Sequence, residues 1–242
     1  MDLPSPAISV QGLTKSYGAA LVLRDMDLEV SWGQRSVLLG PNGSGKTTLI
    51  KVLATLARPE GGKVTVAGWD WRKEGVAIRR AVGVVTHQTL LYGDLTAHEN
   101  LQFYGRMFGV PHLGQRIREA ADQMGVARYL DRRVHTLSHG IQKRLSLARA
   151  ILQAPRILLL DEPETGLDLE AQGYLESLLR SPGEDGSPRT VLLTTHNLER
   201  GLAWGDRVGV LAGGRVAYEA LRGDLDVDRV RALLSPSRRA SR

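Results

Sequence analysis

One α/β domain on a mostly parallel sheet, with short strands toward its N-terminus and a helical insertion in its middle, is the fold class this sequence predicts. Three observations carry that expectation. Short apolar runs at residues 36–39, 157–160 and 190–195 have the length and composition of strands buried on both faces. Segments of helical apolar spacing alternate with those runs, the pattern of a parallel sheet covered on both sides. A glycine-rich loop directly follows one run and opens a helical segment.

Taken in order, residues 8–38 read as short alternating strands, among them Leu28-Glu29-Val30 and the run ending at Leu39. Residues 47–56 carry Leu49, Ile50, Leu53 and Leu56 at helical spacing, and Pro59-Glu60-Gly61-Gly62 closes that helix. Residues 63–67 and 81–86 return to strand. Residues 96–153 are mostly helical, with loops at 109–111 and 135–140. A buried strand at 156–161, a helix at 169–180, a buried strand at 190–195 and a hairpin over 208–218 around Ala212-Gly213-Gly214 complete the pattern. Residues 181–188, rich in Gly, Pro and Ser, read as an exposed loop, and no internal repeat is visible. Residues 1–222 are expected to form one domain with the helical part inserted at about 96–153, and 223–242 an appended basic tail.

With 242 residues, 42% of them hydrophobic, the chain is large enough for a real core. The absence of cysteine excludes disulfides and thiolate metal sites. No window approaches the roughly 18 to 20 apolar residues that cross a bilayer, and residues 1–6 lack the basic and apolar regions of a signal peptide. The expectation is a protein with no transmembrane segment of its own, in the cytoplasm. The net charge of +6 comes partly from the tail at 237–242, and no aromatic-interleaved basic motif accompanies it, so no nucleic-acid role is expected.

Gly40-Pro41-Asn42-Gly43-Ser44-Gly45-Lys46-Thr47 fits GxxxxGK[ST] and stands between strand and helix, where that motif cradles phosphate. Glycines let backbone N–H groups turn inward around phosphate oxygens, and the helix N-terminus adds favourable partial charge. Lys46 then neutralises β/γ-phosphate charge, and Thr47 offers a hydroxyl to Mg²⁺. The alternative is a glycine-rich turn that caps a helix with Lys46 solvated. A dinucleotide fingerprint fits less well, because Thr48 stands where its third glycine belongs.

Asp161-Glu162 ends a buried strand, and so lies at the carboxyl edge of the sheet, where α/β proteins bind ligands. Asp161 suits a Mg²⁺ shell, and Glu162 suits a general base that orients attacking water. The other reading is that both acids merely cap the next segment. His196 closes the strand at 190–195 and should reach the same edge, a place where a histidine is often structural. No guanine-reading NKxD sequence is present.

From Thr14 to about Tyr218 the chain resembles the ABC ATPase family, whose elements stand here in order. That resemblance implies a P-loop NTPase fold with a RecA-like parallel core, an N-terminal antiparallel β subdomain and an inserted helical signature subdomain. It implies ATP and Mg²⁺ as ligands, with Gly40 to Thr48 around the phosphates and Tyr17 stacked on adenine. Gln88 matches the glutamine that touches the metal and senses the transport subunit, so the implied metal contacts are Thr47, Gln88 and Asp161. Glu162, His196 and Lys46 match the catalytic pattern. Leu137-Ser138-His139-Gly140-Ile141-Gln142 resembles the LSGGQ signature and Thr165-Gly166-Leu167-Asp168 the D-loop, which implies that Ser138, Gly140 and Asp168 act in trans across a dimer. Read alone, Ser138 and Asp168 are ordinary helix caps. His139, Ile141 and Glu164 depart from the family's pattern.

The resemblance further implies a homodimer or paired cassette, integral membrane transport subunits as partners, and a peripheral place on the cytoplasmic face of the membrane. The loops at 85–92 and 194–201 look most like the cassette that exports haem for cytochrome c maturation. Drug- and polysaccharide-export cassettes share the same framework and stay open as alternatives. A soluble non-transport ABC ATPase is disfavoured, since neither a long coiled-coil insertion nor a tandem cassette is present.

Overall fold

The computed structural model describes residues 5–183 and 186–235. The chain opens with a hairpin of β1 (Ile8–Tyr17) and β2 (Ala20–Val30), followed by β3 (Arg35–Leu39) and α1 (Lys46–Leu53). Then come β4 (Gly61–Val66), β5 (Trp69–Asp70), α2 (Gly75–Ala81) and β6 (Val82–Val85). The helical segment holds α3 (Ala97–Phe108), α4 (Leu113–Gln123) and α5 (His139–Ile151). The rest runs β7 (Ile157–Asp161), α6 (Leu169–Arg180), β8 (Thr190–Thr195), α7 (Leu198–Trp204), β9 (Arg207–Ala212), β10 (Arg215–Leu221) and α8 (Val227–Leu234).

Two sheets result. The N-terminal one is antiparallel in the order β2-β1-β4-β5, and the central one has the order β10-β9-β3-β8-β7-β6. All pairs in the central sheet are parallel except the β9–β10 hairpin at its edge. The α/β fold with a parallel core is therefore as expected.

β7 shows why the run had to be apolar throughout. Leu158 and Leu160 face the core beneath the helical segment and α6, while Ile157 and Leu159 face the core shared with α1 and the antiparallel sheet. The period-2 alternation thus serves two cores at once, and only the terminal Asp161 breaks it.

One expectation is corrected. The first helix stops at Leu53 instead of running to residue 56, because Thr55 takes φ 60 and turns the chain out, leaving Leu56 half-exposed. Within the stretch expected as a tail from residue 223, α8 lays Val230, fully buried, on Leu39, Val208 and Val210, with Leu233 and Leu234 beside it. The basic stretch 237–242 lies outside the described residues.

Val230→Ala should lower the unfolding free energy by about 2 kcal/mol, from two lost methyl groups and the space they leave. A urea-denaturation midpoint shift checks this; a detached tail would give none.

Candidate functional site

The loop between β3 and α1 is shaped by close approach. A Cβ at Gly40 would lie 2.6 Å from both the Leu211 carbonyl oxygen and Ser44 Oγ, and Gly45 takes φ 108 with Leu23 packed against its α-carbon. These constraints bring the loop tight against β9 and β2 and leave the first turn of α1 without a side-chain cap or an acidic residue. Its free N–H groups and helix dipole are therefore unneutralised, as an anion site requires.

Three further observations fit phosphate. Ser44 Oγ is buried without a hydrogen-bond partner, Gly43 faces open space, and the buried Lys46 ammonium reaches back over the loop. Lys46 Nζ donates to the Gly40 carbonyl at 2.7 Å and the Pro41 carbonyl at 3.1 Å, and lies 3.3 Å from Glu162 Oε1.

Asp161 is almost fully buried at the end of β7, and a buried carboxylate needs partners. It has two: Thr47 Oγ1 donates to Oδ2 at 2.7 Å, and Thr194 Oγ1 donates to Oδ1 at 2.7 Å. One carboxylate beside one hydroxyl, next to a phosphate cradle, is the donor set from which Mg²⁺ is commonly held, with waters and phosphate oxygens completing the shell. Among the described residues no cluster of three or more His, Cys, Asp or Glu suggests any other metal centre.

Glu162 follows in the left-handed region, with φ 44, unusual for a residue bearing a Cβ. Its N–H donates to the Thr194 carbonyl at 3.0 Å while its side chain turns toward the loop. One oxygen faces Lys46, and the other lies 3.2 Å from Nδ1 of the exposed His196. Lys46, Thr47, Asp161, Glu162 and His196 thus form one contiguous group.

The other expected residues stand apart from it within a single chain. Tyr17 is half-exposed at the end of β1, its ring under the Lys15 ammonium at 5.0 Å, and Lys15 is held by Glu60 at 3.1 Å. Gln88 is exposed in the loop after β6, its carbonyl accepting from Thr86 Oγ1 at 2.7 Å. Ser138 caps α5 through the Ile141 N–H, and Asp168 caps α6 through the Ala171 N–H. Gly140 approaches the loop that precedes α6, since a Cβ there would sit 3.3 Å from the Gly166 carbonyl oxygen. The cavity lined by Trp32, Arg156 and Thr190 lies at the opposite, N-terminal ends of β3, β7 and β8 and contains none of these residues.

Sequence reading missed four residues. Thr194 and Thr195 close β8, and Thr194 pairs in register with Asp161. Glu164 is buried and accepts the hydroxyl of Thr195. Lys143, on α5, donates to the Thr86 carbonyl at 3.3 Å; burial pushes its ammonium pKa down, opposed by the charges of Asp161, Glu164 and Glu162. Further along α5, Ser146 Oγ donates to the Thr89 carbonyl at 3.1 Å and Arg149 to the Val84 carbonyl at 2.7 Å.

The family described as ABC transporter matches residues 23–165. A daunorubicin resistance ATP-binding protein of Streptomyces coeruleorubidus is 38% identical over 92% of this chain and 70% of its own length. A Nod factor export ATP-binding protein of Cupriavidus pinatubonensis is 36% identical over 92% of this chain and 70% of its own. Among solved structures, an ATP-binding cassette in a dimeric post-hydrolysis state with ADP and Pi aligns with a TM-score of 0.81 at 27% identity, covering 89% of this chain and 98% of that one.

Gly45→Ala should destabilise the fold by about 2–4 kcal/mol, from backbone strain and the clash with Leu23. Urea denaturation of the purified variant measures it.

Proposed function

We infer from one premise, that this chain belongs to the ABC transporter family as its ATP-hydrolysing subunit, that Gly40 to Thr48 cradle the ATP phosphates and that Glu162 orients the attacking water. The observation that carries the reading is the Glu162 carboxylate suspended between Lys46 and His196. A γ-phosphate entering the loop draws the Lys46 ammonium onto its own oxygens, because a phosphate is the stronger anion. That releases Glu162 Oε1 to accept a proton from water, while His196 holds the other oxygen and the incoming phosphate in line.

Thr47 and Asp161 are the residues that would hold Mg²⁺, with Gln88 approaching from its loop. Bound there, the ion would supply charge neutralisation to the phosphate oxygens. Tyr17, exposed at the end of β1, offers its face to adenine.

The exposed Ser138 and Asp168, with Gly140 beside the D-loop, fit a second copy whose loop they face in trans, and dimeric relatives support that arrangement. Binding closes the pair around two ATP molecules, and hydrolysis reopens it. We assign the cargo path to integral membrane subunits that this cassette meets at the cytoplasmic face, and no helix among the described residues is long and apolar enough to cross a membrane. In this reading the cassette extends through α8.

For cargo we favour the drug-export alternative, since relatives are named for daunorubicin resistance, linearmycin resistance and Nod factor export. The resemblance of two loops to a haem-export cassette gains no support from these names.

Glu162→Gln should keep ATP affinity, cut turnover by about 100-fold or more, and leave an ATP-bound dimer visible by light scattering. Full turnover in this variant would remove Glu162 from its role. Affinity purification of tagged chain from membranes in mild detergent should bring down a polytopic subunit; recovery only from the soluble fraction would count against transport.

A further inference from the structure

Besides the contact of His196 with Glu162, three hydrogen bonds join the segment 161–164 to the segment 194–197. Thr194 Oγ1 donates to Asp161, the Glu162 N–H donates to the Thr194 carbonyl, and Thr195 Oγ1 donates to Glu164 Oε1. The first two attach Asp161 and Glu162. The third involves a residue with no place in the chemistry above, although its carboxyl group is buried and its second oxygen has no hydrogen-bond partner. Burying a carboxylate is costly, and a stretch needing only packing would be served by an apolar side chain.

Glu164 Oε1 is the acceptor in this contact, and it thereby fixes which way the Thr195 hydroxyl points. With its proton committed to Glu164, the Thr195 oxygen turns a lone pair to the Asn197 N–H, which donates to it at 3.0 Å. Asn197 Oδ1 in turn accepts from the Arg200 N–H at 3.0 Å and caps α7. Both neighbours of His196 are thereby held, while its imidazole projects into the open beside Glu162. Lys143, buried in the vicinity, offsets part of the negative charge of Asp161, Glu162 and Glu164.

We propose that Glu164, acting through Thr195, is a positioning residue for hydrolysis that sets the backbone carrying His196 so that its ring meets Glu162. The proposal rests on the assignment of Glu162 and His196 above. Neither Glu164 nor Thr195 touches the loop that takes the nucleotide, so their contribution appears in turnover and not in ATP affinity.

The decisive variant replaces both partners, Glu164→Met with Thr195→Val, which removes the buried acceptor together with its donor and leaves one part-buried group, the Asn197 N–H, to find another acceptor. The full-length double variant should melt near the wild type and keep KM for ATP within about twofold, while kcat falls about tenfold, the size of effect expected from a displaced catalytic group. Glu164→Gln, whose amide oxygen still accepts from Thr195, should retain most of the turnover. A double variant with wild-type kcat, or Glu164→Gln losing as much as the double variant, overturns the proposal. Should the double variant fail to fold, Thr195→Ser and Thr195→Ala decide it: the serine keeps kcat and the alanine loses it at constant KM, and equal values for the two overturn it. Wild-type protein without ATPase activity, or with undiminished activity in Glu162→Gln, removes the underlying reading as well, whereas an intact double variant removes only the role of Glu164.

Discussion

A hydroxyl-to-carboxylate contact of 2.7 Å, from Thr47 to Asp161, joins residues 114 apart in sequence, and the rest of the site is arranged around it. The strand order makes it possible. β8 lies between β3 and β7, so the loop leaving β3 must reach across the end of β8 to meet β7. The register fills that gap, since Thr194 is paired with Asp161 and Thr195 with Leu39. Asp161 is thus buried with a hydroxyl on each oxygen, which satisfies a group that hydrocarbon surroundings alone would leave without hydrogen-bond partners.

Glu162 illustrates a different balance. Its left-handed backbone runs against local preference, by an amount on the order of 1–2 kcal/mol for a residue with a Cβ. The compensation is placement, for the adjacent Asp161 points into the sheet edge while Glu162 turns to Lys46 and His196. Two consecutive acids thereby serve two separate tasks within one short stretch.

Much of this was legible in the residues themselves. α6 and β8 begin and end where the pattern placed them, because Asp168 and the Gly/Pro/Ser-rich stretch mark their ends strongly. The motif residues of the loop and of β7 came together because each is fixed by its own neighbours in sequence. α8 is less legible: Val227, Val230, Leu233 and Leu234 recur at helical spacing, but the charged residues among them give the stretch the composition of a solvated tail. Thr194, Thr195 and Glu164 had no local signature, since their partners lie 33 and 31 residues away and only the register of β7 against β8 brings them into reach. Lys143 read as one more cation on a basic helix, and only tertiary burial sets it apart.

Three side chains of α5 reach main-chain carbonyls on either side of Gln88, Lys143 to Thr86, Ser146 to Thr89 and Arg149 to Val84, and they recur every third residue along one stripe of that helix. They rivet it to both flanks of the segment that contains Gln88. Fastened at three points, α5 and the loop after β6 are packed as one unit, with Ser138 at the N-terminal end of the helix and Gln88 between the anchored carbonyls.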